Sequence, residues 1–149
     1  MMIAAEVPTK LGAPEALEHK PVRIVDSIVS AVFSARREVK DVTFAPRFEQ
    51  VPTGTTLASP DRLNRALTDM LVTAARHSPS GGQVKVHISQ GSGHVAIDIA
   101  AQGKTLTPKD LGTFVDVAVR RALHQGTACV RNGSTEGFVI EVRLPLAPA

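Results

Sequence analysis

Tryptophan and tyrosine are absent from this chain, and phenylalanine occurs only five times. The chain therefore has no set of aromatic platforms on which bases of a single-stranded nucleic acid would stack. One cysteine, Cys129, stands alone, so no internal disulfide forms and a reducing cytoplasm is the expected compartment. No run approaches the roughly 20 apolar residues of a membrane helix. The opening "MMIAAEVP" lacks the basic flank and long apolar run of a secretory signal. Charge of one sign is also scarce. The formal net charge is +3 on 149 residues, too mild to imply a nucleic-acid partner. What is present is ordinary for a globular domain: 43% hydrophobic and 21% charged residues, on a length that suits one core.

Residues 1–20 show little periodicity and read as a flexible leader or linker, with residues 21–149 as the folded domain. From Pro21, "PVRIVDSIVSAVFSARREVKD" places Val22, Ile24, Val25, Ile28, Val29, Val32 and Phe33 mostly three and four residues apart. This predicts a helix starting at Pro21 with a wide apolar face. Residues 42–48 and 55–59 are short strand candidates around a Pro-Thr-Gly turn. The next helix is the clearest element. Ser59 is its expected cap, Pro60 fits the first turn, and Asp61 suits the positive end of the dipole. Leu63, Ala66, Leu67, Met70, Leu71 and Ala74 form its apolar stripe, and Pro79 with Gly81-Gly82 ends it.

"QVKVHIS" (83–89) and "VAIDIAA" (95–101) alternate and flank the turn "GSGH", which predicts a hairpin. Residues 107–125 read as a third helix behind Thr107 and Pro108. "TACVRN" and "EGFVIEVRLPL" close the chain as a second hairpin, with Cys129 expected to be a buried small hydrophobe. Strands joined by both helices and hairpins predict an α/β sandwich: a mixed sheet of about five or more strands with helices on one face.

In this order and spacing, residues 21–146 resemble the catalytic ATP-binding domain of sensor histidine kinases, within the GHKL ATPase group. The phrases that carry the likeness are "HKPVRIVDSIVSAV", "ASPDRLNRALTDMLVTAARHSPSGGQVKVHI", "VAIDIAAQG" and "STEGFVIEVRLPL". The resemblance implies a Bergerat-type fold and a nucleotide site at Asp69, Thr73, Arg76, His77, Ala101, Gly103 and Gly112. At those positions the chemistry departs from the family pattern. The family has Asn-x-x-x-Asn on its second helix, and spacing of four sets both side chains on one face. Here the pair is Asp69 and Thr73, and a Thr hydroxyl is a poor substitute for the amide oxygen that ligates Mg²⁺. Arg76 and His77 keep the family's residues near the phosphates. A solvated last turn, where cations favour the helix C-terminus, explains the same pair.

The family's Asp-x-Gly-x-Gly supplies the carboxylate that recognises adenine. In "AAQGKTL" Ala101 takes the Asp position, Gly103 is kept, and Thr105 replaces the second Gly. Asp98 lies three residues back on an alternating strand and so faces the other way. The family then inserts a mobile lid and a Gly-x-Gly turn at a helix N-terminus, an anion site. Here only residues 107–111 lie between Leu106 and Gly112, and "GTFV" stands in place of Gly-Leu-Gly-Leu.

The leading expectation is a domain with no catalytic residue and no metal ligand set. It acts as a regulatory or interaction module in two-component signalling, and no cofactor is expected. Implied partners are a dimerisation-phosphotransfer domain or a response regulator, with no nucleic acid and no membrane contact. The rival expectation is an ATP-binding kinase domain that uses ATP and Mg²⁺ through Arg76, Gly103 and backbone groups. No helical hairpin with a phosphoacceptor His surrounds His19, so autophosphorylation by this chain alone is not expected.

Overall fold

The computed structural model describes residues 20–49, 52–102, 126–132 and 137–147. The helix expected at 107–125, together with Gly103 and Gly112, lies outside them. In chain order the described elements are β1 (Lys20–Arg23), α1 (Ile24–Glu38), β2 (Thr43–Phe48), β3 (Thr55–Ala58), α2 (Pro60–Arg76), β4 (Gln83–Gln90), β5 (His94–Ala101), β6 (Thr127–Asn132) and β7 (Phe138–Pro145).

Five strands form one mixed sheet in the order β2-β4-β5-β7-β6. β2 runs parallel to β4, and the other neighbours are antiparallel. Alternation sorts their side chains cleanly. Val84, Val86 and Ile88 of β4, Val95, Ile97 and Ile99 of β5, and Ile140, Val142 and Leu144 of β7 are all buried. They join the buried residues of α1 and α2 in one core on one side of the sheet. This is the expected α/β sandwich.

α2 buries Leu63, Ala66, Leu67, Met70, Leu71 and Ala74, the stripe its spacing predicts. Val72 and Ala75 are buried as well, which widens the covered face where α1 packs alongside. Ser59 occupies the N-cap position, yet its hydroxyl makes no capping hydrogen bond; it is 1% exposed, packed inward. The helix stops at Arg76. The Ser78 hydroxyl donates to the Ala74 carbonyl, and Gly81 turns the chain at φ +83°. The Gly81 amide then donates to the Asp41 carbonyl, and the Thr43 amide to the Gly82 carbonyl. These two bonds fix the start of β2 beside the start of β4.

The first helix differs from its expected start at Pro21. Lys20–Arg23 is extended and pairs antiparallel with Thr55–Ala58, so a small second sheet precedes α1. The chain turns helical only at Ile24, which is fully buried, whereas Lys20, Pro21 and Arg23 are exposed. Pairing with β3 offers these three residues a better arrangement than a helical turn that would bury nothing. Residues 42–48 and 55–59 therefore belong to different sheets. Of the wide apolar face read into α1, Ile28 and Val32 are covered, but Val29 and Phe33 stand 55% and 64% exposed.

Candidate functional site

The C-terminal half of α2 and the end of β5 bring the described members of the predicted site to one region of the fold. Asp69 and Arg76 are exposed, and Thr73 is half-buried at the border of the apolar stripe. The Thr73 hydroxyl is turned back on its own helix and donates to the Asp69 carbonyl oxygen at 2.7 Å. Such bonds to the preceding turn are the usual resting place of a mid-helix threonine hydroxyl. His77, the C-cap residue, folds over the same turn. Its Nδ1 lies 2.9 Å from the Thr73 carbonyl oxygen, so the Nδ1–H tautomer donates to it.

The other face of the His77 ring meets β7. The Phe138 ring stands edge-on to the imidazole, with centroids 6.1 Å apart and planes at 89°. That geometry is a favourable one for two rings. Phe138 is also the cross-strand partner of Ala101, in the pair that ends the β5–β7 ladder. Ala101 is 5% exposed and Phe138 is 1% exposed. This end of β5 thus carries a methyl group beside a buried phenyl ring. Gly137, at φ +122°, backs directly onto this pair. A Cβ there would lie 2.5 Å from the Ala101 carbonyl oxygen.

Mg²⁺ demands oxygen ligands in near-octahedral order; among the described residues the Thr73 hydroxyl gives its proton to its own helix and keeps its lone pairs, and the Asp69 carboxylate is exposed one turn away. A base requires a polar partner on the sheet, and Ala101 has no side-chain donor or acceptor. Asp98 sits on the opposite face of β5, as its spacing predicts, in register with His87 and Glu141.

That opposite face carries a polar row of its own. His87 Nε2 lies 3.3 Å from a Glu49 carboxylate oxygen. Arg131 Nε donates to Glu141 at 2.7 Å, and this bond holds the Glu141 carboxyl below its usual range. Cys129 is on this face and exposed, a correction to its expected burial. Its parity is that of Thr127 and Arg131, while Ala128 and Val130 face the core. Its thiol is pushed up by partial burial and by donation to the Glu141 carboxylate at 3.6 Å, so it is a poor nucleophile.

Sequence reasoning missed Phe138, because nothing in "EGFVIEVRLPL" reveals which helix end its ring meets. It also missed Asn64, whose buried Oδ1 has no hydrogen-bond partner.

The fold defined by this sheet and these helices is that of histidine-kinase ATP-binding domains. The mycobacterial sensor histidine kinase MprB superposes with a TM-score of 0.74 at 24% identity, covering 88% of this chain and 99% of that one. The nucleotide-free catalytic domain of histidine kinase ThkA matches with TM-score 0.74 at 13% identity, covering 89% and 99%. The ATP-binding domain of PrrB from Mycobacterium tuberculosis matches with TM-score 0.70 at 23% identity, covering 88% and 99%. No family model matches the sequence, and no curated protein does at a significant level. Among the described residues, no helix is long and apolar enough to cross a membrane.

Proposed function

We propose that this domain is a nucleotide-independent derivative of the histidine-kinase ATP-binding fold, working as a regulatory or protein-interaction module in bacterial two-component signalling. The observation that carries the reading is the Ala101–Phe138–His77 contact. An apolar side chain and two rings in edge-on contact stand where the resemblance puts base recognition, and offer a base no carboxylate. Thr73, a hydroxyl where the resembled family has an amide oxygen, supports it from the metal side. The partner is a dimerisation-phosphotransfer domain or a response regulator. Neither nucleic acid nor a membrane is a partner, and the setting is cytoplasmic.

The rival reading, an ATP-binding kinase domain, draws its support from the intact frame alone. A ligand that binds only the native state stabilises it by about 2.7 kcal/mol at a hundred times its dissociation constant. Thermal unfolding with and without millimolar Mg-ATP therefore separates the two. The proposed reading expects no shift in midpoint, and a rise of several degrees supports the rival.

A further inference from the structure

α1 and the outer strand β2 enclose an apolar groove of about 120 Å³, with Val29 and Phe33 on one wall and Pro46 and Phe48 on the other. Phe33 is at once part of the wall and the most exposed large apolar side chain described, at 64%. An apolar cavity of roughly 150 Å³ is enough to take a benzene ring. The groove is therefore close to the size of the ring that projects beside it.

Among the described residues, β2 is hydrogen-bonded on one side only, by β4. Its free edge is nonetheless blunted against strand addition. Pro46 has no amide hydrogen to offer, and the Arg36 guanidinium already donates to the Phe44 carbonyl at 3.2 Å. The occupant of this groove is thus a side chain carried on a helix, not another strand.

The charges along α1 select the helix. Asp26, Val29, Phe33, Arg36 and Arg37 recur at spacings of three and four, which puts them on one stripe. Consider two copies of α1 laid antiparallel about a two-fold axis level with residue 31. Val29 of each then meets Phe33 of the other. Asp26 of each meets Arg36 and Arg37 of the other, twice by symmetry. A knob beside a hole, with acid at one end of the stripe and cations at the other, is the pattern of a self-complementary contact. Asp26 is available for the exchange, because its bond to Arg23 is a loose 3.8 Å pair with both side chains about 70% exposed.

We infer that this face binds a second copy of the same chain, with Phe33 of each protomer seated in the α1–β2 groove of its partner. The inference is independent of how the nucleotide site is read. One 15-residue helix and one ring from each copy cover less than the roughly 1,200 Å² of a standard interface, so the dimer is weak, in the micromolar range or above.

Sedimentation of the full chain from about 5 µM to about 500 µM samples that range. The wild type should pass from monomer to dimer, and Phe33→Asp should weaken association more than about tenfold with unfolding unchanged. Charge reversal gives the sharper arm. Asp26→Arg sets cation against cation in its own dimer, and the double variant Arg36→Asp, Arg37→Asp sets acid against acid. Each variant alone should stay monomeric, whereas an equimolar mixture should dimerise, since both contacts are then between opposite charges. A mixture no more associated than its components overturns the inference. So does a wild-type monomer across the whole range, or a dimer indifferent to Phe33→Asp. A monomer whose α1 amides lose exchange protection when residues 1–19 are deleted assigns the groove to the chain's own leader and equally overturns it.

Discussion

Replacing Ala101 by aspartate restores the carboxylate of the resembled family, and in this chain it should be costly. Ala101 is 5% exposed, on the core side of β5, opposite Val84 on one neighbouring strand and Phe138 on the other. Neither cross-strand partner offers a polar side chain. The Gly137 backbone crowds the Ala101 carbonyl from outside, which leaves little freedom for the strand to move away. A carboxylate in such a place either stays charged and unpaired, or takes up a proton. Burying even a neutral hydrogen-bonding group without a partner costs roughly 1–3 kcal/mol by protein mutational measures. An uncompensated buried charge costs about 3–5 kcal/mol. The expected loss at neutral pH is thus about 3 kcal/mol, a large share of the stability of a small domain.

The sign with pH follows. Burial raises the folded-state pKa of the new aspartate above its unfolded value of about 3.9. The variant is then least harmed below that value. It loses about 1.4 kcal/mol per pH unit as pH rises from there towards the folded-state pKa, and nothing further beyond it. Urea unfolding of wild type and Ala101→Asp at pH 4 and pH 7 reads this directly. Equal stability of the two proteins at pH 7 would refute the reasoning, because it would mean that the site already holds water or a polar partner.

Other consequences follow from the same contacts. The double variant Thr73→Asn, Ala101→Asp should give no calorimetric signal with Mg-ATP, since the new amide and carboxylate would face Phe138 and an open helix edge; micromolar binding would show that erosion of those two positions was the only lesion. Thr56→Val should be neutral or stabilise by up to about 1 kcal/mol, because the Thr56 hydroxyl is buried without a partner, and denaturant midpoints check it. Gly137→Ala should destabilise by about 1–3 kcal/mol, as φ +122° is a glycine conformation and the new methyl meets the Ala101 carbonyl; an unchanged melting curve contradicts this.

The elements that sequence made legible are those whose pattern repeats. α2 offers six apolar positions over three turns, β4 alternates along its buried Val84, Val86 and Ile88, and β5 repeats the pattern through Val95, Ile97 and Ile99, so period and face follow directly. β1 was illegible for the opposite reason. Its four residues carry too little pattern to compete with the helix signal that begins immediately after, and its partner β3 lies more than thirty positions away in sequence. Cys129 was legible in principle, because Thr127 and Arg131 share its parity, but Cys is itself a common core residue and outweighed them. At the site, the substitutions at Asp69, Thr73 and Ala101 could be read from the chain. The engagement of the Thr73 hydroxyl by its own helix, and the Phe138 ring against His77, could not, since both depend on how side chains turn once the helix end meets β7.

The central claim is that this fold has ceased to recognise nucleotide. Isothermal titration of Mg-ATP into the wild-type chain tests it most directly, with both held high enough to detect dissociation constants up to about 1 mM. With Ala101 and the buried Phe138 ring offering a base no polar partner, only the heat of dilution is expected. A saturable signal with one nucleotide per chain and a dissociation constant below about 100 µM would contradict the account and restore the ATP-binding reading.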